Sequence, residues 1–121
     1  MTAEKLALVT GATRGIGLAI TKKLMRSGIS VIGTSREKAS LSETVKELNT
    51  NIASLHPMEL DITKNESIES FLEQLTNEGL VPNILVNNAA IVKDNLLIKM
   101  KDDEWLNVVN GNLNAVFLLT R

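Results

Sequence analysis

The chain has 121 residues, which is enough for one domain with a buried core. Hydrophobic residues make up 44% and charged residues 22%, as in ordinary soluble globular proteins, so intrinsic disorder and fibrous repeats are excluded. A net charge of -1 excludes a basic field for nucleic acid or an anionic membrane, and the lack of cysteine excludes disulfides, zinc–thiolate sites and a cysteine nucleophile.

The first elements are a strand, a glycine-rich turn and a helix. Residues 6–9 (LALV) are a short apolar run, which predicts a strand buried on both faces. Residues 16–27 repeat apolar side chains at helical spacing, and Gly28 suits the position just after a helix. The apolar stripe of this predicted helix consists of Ile16, Ala19, Ile20 and Leu24.

A second strand and a second helix follow. Residues 29–34 (ISVIGT) are rich in β-branched side chains and predict the strand. Ser40 and Glu43 could form a capping box at the start of the helix. The apolar positions that predict this helix are Leu41, Val45 and Leu48.

The next pair is weak in its strand and strong in its helix. Residues 53–60 are predicted to be extended and to contain an edge strand, because Pro57 interrupts the strand pattern. Residues 65–78 predict an amphipathic helix, and Gly79 stands at its end. Its apolar face consists of Ile68, Phe71, Leu72 and Leu75.

The last predicted elements are a strand over residues 83–86 and a helix that runs from Trp105 towards Arg121. Acidic residues at 102–104 suit the start of that helix. No helix stop signal follows, so we expect the chain to be cut inside a helix. The apolar side of this helix, predicted to lie in a core or an interface, consists of Trp105, Val108, Val109, Leu113, Val116 and Phe117.

The alternation of strands and helices predicts an α/β fold with parallel strands joined by right-handed crossovers. We expect a Rossmann-type doubly wound sheet in three αβα layers, truncated after about four strands. We expect residues 1–121 to form a single NAD(P)-binding domain that is incomplete at the C-terminus. The apolar run at the N-terminus is too short for a signal peptide, and no window approaches the roughly 18 apolar residues of a membrane span. The expected location is therefore cytoplasmic.

The turn after the first strand holds three of the chain's seven glycines. A turn from a strand into a helix can direct backbone N–H groups and the positive helix end at a phosphate, provided that no side chain blocks the approach. The spacing Gly11-x3-Gly15-x-Gly17 differs from the G-x-G-x-x-G dinucleotide fingerprint. From the spacing alone, a tight turn without a ligand remains an alternative.

The choice of cofactor is expected at the end of the second strand, about 20 residues beyond the glycines. Arg36 stands there and could bind a 2′-phosphate, and Arg14 in the loop adds a second cation. These residues favour NADP. Glu37 could instead bind a ribose 2′-hydroxyl and keeps NAD open, and both arginines could also be ordinary solvated residues.

Several stretches resemble the short-chain dehydrogenase/reductase family. Residues 10–17 (TGATRGIG) resemble its T-G-x-x-x-G-x-G motif, and residues 87–90 (NNAA) resemble its N-N-A-G motif, with Ala90 in place of glycine. Residues 61–62 (DI) are similar to the pair that flanks the adenine, and Asn112 matches the asparagine of the catalytic tetrad. Residues 94–105 closely resemble a segment of 3-oxoacyl-[acyl-carrier-protein] reductases.

The resemblance implies an NADP(H) site and one catalytic residue, Asn112, and no metal. Asn112 would hold an ordered water of a proton relay through a main-chain carbonyl freed by a helix irregularity, with which Gly111 is consistent. Arg36 would meet the 2′-phosphate, and Asn88 would lie on the nicotinamide side. The implied cofactor-binding residues are Gly11, Ala12, Thr13, Arg14, Gly15, Ile16, Gly17, Arg36, Asp61, Ile62, Asn88 and Ala89.

The family's Ser and Tyr-x-x-x-Lys elements normally follow the helix on which this sequence stops, and the chain has no tyrosine. His56 is the only histidine and is assigned no catalytic role. We therefore expect this chain to be the N-terminal part of a reductase that acts on a small-molecule or acyl-carrier-protein-bound substrate. The chain alone is expected to be inactive. The full-length protein is expected to be a homo-tetramer that assembles through its C-terminal helix. Alternatives are a catalytically silent NADP-binding module, a remnant acting through protein contacts, and a dehydrogenase for another ketone or alcohol.

Overall fold

A computed structural model describes residues 4–49 and 53–121. Residues 1–3, at the start of the N-terminal segment considered above as a signal peptide, lie outside the described residues. Four strands form one sheet: Leu6–Val9 (β1), Ser30–Ser35 (β2), Leu55–Glu59 (β3) and Ile84–Val86 (β4). The α-helices are Gly15–Arg26 (α1), Lys38–Leu48 (α2), Asn65–Asn77 (α3), Asp102–Val109 (α4) and Ala115–Thr120 (α5). A 3-10 turn spans Leu97–Lys99, and a π-helical turn spans Asn110–Asn114 between α4 and α5.

The sheet is parallel throughout, in the order β3-β2-β1-β4. At the carboxyl end of the central strand, Val9 pairs with Gly33 of β2 and with Val86 of β4. The strand order therefore reverses at β1, where a doubly wound sheet binds its ligand. The predicted edge strand is confirmed: β3 lies at the edge of the sheet and includes Pro57.

Helices cover both faces of the sheet, which confirms the three predicted layers. Alternate residues of β1 point to opposite sides, Ala7 and Val9 to one core and Leu8 to the other. The first core joins α1 and α2 to the sheet, and the second joins α3 and α5 to it. The most deeply buried large side chains of the second core are Ile32, Ile68 and Phe71.

The predicted apolar stripe of α1 is wrong at its start. Ile16 and Ala19 are exposed, and the buried line of the helix is formed by Gly17, Thr21 and Met25. Threonine can occupy this line because its hydroxyl donates a hydrogen bond to the Gly17 carbonyl, 2.8 Å away. The helix thus turns Gly17 and Thr21 towards the sheet and Ile16 towards solvent.

The capping box predicted at Ser40 and Glu43 does not form. Helix α2 begins at Lys38, so Ser40 already has a place in the first helical turn, whereas an N-cap residue must be extended. Glu37 takes the N-cap position without a side-chain cap, and the Ser40 hydroxyl donates back to its carboxylate at 3.5 Å.

The last helical segment is not one continuous α-helix but is interrupted by the π-turn. Both Gly111 and Ala115 are buried, Gly111 next to Ile91 and Thr63 and Ala115 in the second core. Much of the predicted apolar side faces outward: Trp105 is 59%, Leu113 67% and Phe117 60% exposed. Within the described residues, no helix combines the length and apolarity needed to cross a membrane.

Candidate cofactor-binding site

The three loop glycines are needed for two different reasons. Gly11 and Gly15 have φ angles of +66° and +58°, where a side chain is strained. Gly17 instead lies where α1 passes against the loop. A Cβ atom at Gly17 would overlap the Gly11 carbonyl oxygen and come within 2.5 Å of the Asn88 side-chain nitrogen. The turn can therefore be this tight only without side chains at these positions.

The peptide groups of the loop are held from both sides. On the β2 side, the N–H of Gly11 donates to Thr34 Oγ1 (3.3 Å) and the N–H of Ala12 donates to the Thr34 carbonyl (2.9 Å). On the β4 side, Asn88 Nδ2 donates to the carbonyls of Thr10 and Gly11, both at 3.1 Å. The Thr10 hydroxyl oxygen accepts the N–H groups of Asn88 (3.0 Å) and Ala89 (2.9 Å). The ends of β1, β2 and β4 are thereby joined into one rigid unit.

The start of α1 is open to an anion. The N–H groups of its first turn have no carbonyl partner inside the helix, and Arg14 at the N-cap makes no side-chain cap bond. The first turn holds no acidic residue, and Ile16 is 74% exposed. The positive end of the helix dipole thus faces outward beside the glycine loop.

A cleft of about 330 Å³ runs along the carboxyl ends of the strands. Its lining residues are Gly11, Thr13, Arg14, Thr34, Ser35, Arg36, Glu37, Ser40, Leu60, Ile62, Asn88, Ala89, Ala90 and Ile91. Seven predicted site residues thus lie together on its wall: Gly11, Thr13, Arg14, Arg36, Ile62, Asn88 and Ala89. Ala12 is buried behind the loop, and Asp61 adjoins Ile62.

Some lining residues were not predicted from the sequence. Thr34 and Ser35 directly precede Arg36 at the end of β2, so their positions were a usable signal. Leu60 likewise precedes Asp61. Ser40 and Ile91 carry no motif, because only the packing of α2 and of the segment after β4 brings them to the cleft.

The cleft is lined by two cations, Arg14 at the start of α1 and Arg36 at the end of β2, and by one anion, Glu37. Arg14 and Arg36 are exposed, and both line the cleft. Glu37 is held close to the backbone: its N–H donates to Ser35 Oγ (3.2 Å) and its carboxylate accepts the Ser40 hydroxyl. The two guanidinium groups are therefore available to a phosphate.

Asp61 is fixed in a turn after β3. Its Oδ1 accepts the hydroxyl (2.6 Å) and the N–H (3.0 Å) of Thr63, and its own N–H donates to Ser67 Oγ (2.9 Å). Burial by itself would raise the pKa of the Asp61 carboxyl, but the bonds from Thr63 and the charges of Lys64 and Arg36 bring that pKa below its ordinary value. Asp61 is therefore an anion at neutral pH.

Asn112 lies in the π-turn, which confirms the predicted helix irregularity. Its Oδ1 accepts the N–H of Ile91 (2.9 Å), and its Nδ2 donates to the Ile91 carbonyl (2.8 Å). Buried Gly111 allows this approach, since a Cβ there would lie 3.2 Å from Ile91 Cγ1 and 3.3 Å from Thr63 Cγ2. Asn112 is not itself among the described residues that line the cleft, but it holds Ile91, which is. His56 lies on β3 and is half-buried.

Comparisons with known proteins agree with this geometry. A family model described as short chain dehydrogenase matches residues 5–121. The chain is 44% identical, over 117 residues, to the 3-oxoacyl-[acyl-carrier-protein] reductases of Pseudomonas aeruginosa and of Escherichia coli. It is 43% identical over 120 residues to that of Vibrio harveyi. Each alignment covers 97% of this chain and 47% of the relative, so the chain spans about half the length of these relatives.

Solved structures show the same fold. A metagenomic short-chain oxidoreductase in complex with NADP superposes with a TM-score of 0.86 at 34% identity, over 97% of this chain and 53% of that one. An alcohol dehydrogenase from Thermococcus sibiricus, complexed with 5-hydroxy-NADP, has a TM-score of 0.86 at 28% identity, over 96% of this chain and 50% of that one.

Proposed function

The chain belongs to the short-chain dehydrogenase family, and on that basis we propose that it is the N-terminal, cofactor-binding part of an NADPH-dependent oxidoreductase. One observation carries the proposal: the open amino end of α1 and the guanidinium groups of Arg14 and Arg36 border one cleft at the switch point of the sheet. That arrangement fits a ligand with a pyrophosphate and a third phosphate. The NADP complexes of the similar structures support it.

We propose contacts with the cofactor residue by residue. The first turn of α1, with its unbonded N–H groups, would hold the pyrophosphate, and Arg36 with Arg14 would hold the 2′-phosphate. Asp61 and Ile62 would border the adenine, and Asn88 and Ala89 would lie towards the nicotinamide. The whole set comprises Gly11, Ala12, Thr13, Arg14, Gly15, Ile16, Gly17, Arg36, Asp61, Ile62, Asn88 and Ala89, within a single domain over residues 1–121.

For the full-length protein we propose reduction of a 3-oxoacyl thioester, carried by acyl carrier protein, to the 3-hydroxyacyl form. Identities of 43–44% with reductases of that name support this substrate class. NADPH, when bound, supplies the hydride for the carbonyl carbon. In this chain Asn112 would contribute to proton delivery by holding the π-turn and Ile91 in place. Cytoplasmic location and a tetramer through the last helix belong to the same proposal.

A second candidate is a catalytically silent NADP-binding module, because all the described residues that line the cleft fall within positions 11–91. Such a module would bind cofactor with the same residues but transfer no hydride. Turnover of an acetoacetyl thioester separates the two candidates. We expect none with the 121-residue chain, and NADPH-dependent turnover with a chain that extends over the full length of the relatives.

The proposed cofactor site is tested by titrating the chain with NADPH and NADH in a calorimeter. We expect NADPH to bind more tightly, because only it carries the 2′-phosphate. Arg14→Ala and Arg36→Ala should each weaken NADPH binding about tenfold or more and leave NADH unchanged, since charged hydrogen bonds contribute about 1.5–3 kcal/mol. Arg26→Ala, which removes an exposed charge from the last turn of α1, is the matched control. Preference for NADH, or no binding of either, would refute the proposal.

A further inference from the structure

We propose that Thr34 is a positioning residue that sets the span between the two phosphate-binding parts of the cleft. One part is the amino end of α1 with the glycine loop, and the other is the end of β2 with Arg36. The inference rests on the proposed function, because it concerns how a ligand with phosphates at two separate points is held. Nothing in the motifs that identify the family requires a threonine at this position.

The geometry of Thr34 is that of a connector. It lies at the end of β2 and is 1% exposed. Both of its oxygen atoms accept a loop amide, Oγ1 from Gly11 at 3.3 Å and the carbonyl oxygen from Ala12 at 2.9 Å. Arg36 follows two residues later, so one short stretch of backbone carries both the loop's anchor and the guanidinium group.

The packing around this connector leaves little room for movement. A Cβ atom at Gly33 would lie 3.0 Å from Ala12 Cβ and 2.9 Å from Leu55 Cδ1, so the loop rests directly on the β2 backbone. From the opposite side, Asn88 holds the carbonyls of Thr10 and Gly11. Asn88, just after β4, thus holds the carbonyls of Thr10 and Gly11, and Thr34 at the end of β2 holds the amides of Gly11 and Ala12.

This division predicts what is lost without the hydroxyl. The Gly11 amide would lose its acceptor in a part-buried setting, and the loop would stay attached to β4 through Asn88. Ala12 would keep its bond to the Thr34 carbonyl, so the loop would be held to β2 by one hydrogen bond instead of two, and its spacing from Arg36 would be less tightly fixed. A ligand with both the pyrophosphate and the 2′-phosphate should lose the most affinity, whereas a ligand with only the 2′-phosphate meets the loop through Arg14 alone and should lose less.

The experiment measures affinities of the 121-residue chain for NADPH and for adenosine 2′-monophosphate, which lacks the pyrophosphate. Thr34→Val removes the hydroxyl at constant shape, and Thr34→Ser keeps it. Thr44→Val is the matched control, because Thr44 is also buried and donates its hydroxyl to a carbonyl, that of Ser40, at 2.9 Å. We expect Thr34→Val to weaken NADPH about tenfold and adenosine 2′-monophosphate, which meets the loop only through Arg14, about threefold or less. Thr34→Ser and Thr44→Val should bind both as the unaltered chain does.

Equal affinity of Thr34→Val and the unaltered chain for NADPH overturns the inference, and so does an equal loss for both ligands. Melting temperatures are recorded for every variant. If Thr34→Val does not fold, Thr34→Ala removes the same hydroxyl without adding a methyl group. Failure of the unaltered chain to bind NADPH refutes the proposed function itself, so the two failures are distinguishable.

Discussion

The glycine loop is hydrogen-bonded to neighbouring strands on two sides, whereas much of the last helical segment is exposed to solvent. Around the loop, the amides, carbonyls and hydroxyl of residues 10–12 bond to the ends of β2 and β4. Among residues 92–121, all of which the structure describes, only Gly111 and Ala115 are buried. Two large apolar side chains of the 3-10 turn in that segment are more than half exposed. Outside the turn, six more are: Val92, Leu96, Trp105, Leu106, Leu113 and Phe117.

This difference indicates that the cofactor cleft and the outer side of α4 and α5 depend on different contacts. The cleft is lined by the ends of the four strands and the segments that follow them. The outer side of the helices leaves apolar surface in contact with water, a state that monomeric proteins limit. We therefore expect changes in the loop to alter ligand binding, and changes in the last helix to alter association.

The largest effect is expected at Gly17. Gly17→Ala places a methyl group against the Gly11 carbonyl and the Asn88 side chain, and both are backbone-anchored and unable to move freely. Overpacking of this kind costs about 2 kcal/mol, equivalent to a roughly 30-fold weaker affinity for NADPH if the loop shifts to relieve it. Calorimetric titration with NADPH measures the change.

Gly79→Ala is the control for Gly17→Ala. Gly79 also requires glycine, with a φ of +67°, but it follows α3 and nothing lies within 4 Å of an added Cβ. The Gly79→Ala substitution should lower the melting temperature and leave the affinity for NADPH unchanged. Comparable losses of affinity in both variants would show that the loop is no more demanding than the rest of the fold.

The second effect concerns association of the chain. We expect the 121-residue chain to be marginally stable or to self-associate through the apolar side that carries Leu113 and Phe117. Phe117→Glu should shift it towards the monomer in sedimentation velocity, because a buried carboxylate in a contact is costly. Val81→Glu is the control, since Val81 is 80% exposed but lies outside this helix. A monomer with a cooperative melt well above ambient temperature would contradict the expectation.

The smallest effect is the pH dependence that Asp61 contributes. Because its pKa is lower in the folded chain than the ordinary value of 3.8, its stabilisation is complete above that value. It is lost as the pH falls through the lower, folded pKa. Asn at this position cannot titrate, so Asp61→Asn should lose less stability than the unaltered chain below about pH 4 in acid titrations followed by circular dichroism. Identical acid transitions would show that Asp61 contributes nothing.

The elements of the chain could be predicted because their local patterns are strong. Apolar runs predicted β1, β2 and β4, and periodicity predicted α1 and α3 to within one or two residues. The face of α1 was mispredicted, since apolar periodicity gives no weight to a glycine and a threonine. The start of α2 was also missed, because Glu37 caps it without the side-chain bond that a sequence motif would show.

The candidate site also contains residues that could be predicted from the sequence and residues that could not. The motif residues Gly11, Arg14, Arg36 and Asn88 were predicted and meet at one cleft, because the carboxyl ends of parallel strands share one edge of the sheet. Ser40 and Ile91 could not be predicted, since neither belongs to a motif and only packing brings them there. The bonds between Asn112 and the Ile91 backbone also depend on the π-turn, whose presence Gly111 alone could only suggest.

By itself, the sequence determined the order of elements, the parallel sheet and the position of the glycine loop. Those features follow from hydrophobic periodicity and from glycines that backbone geometry requires locally. Only the tertiary structure decided which groups hold the loop, with Thr34 bonding its amides and Asn88 its carbonyls. Residues 23 and 77 positions away from Gly11 make those bonds, and no local pattern records contacts across such separations.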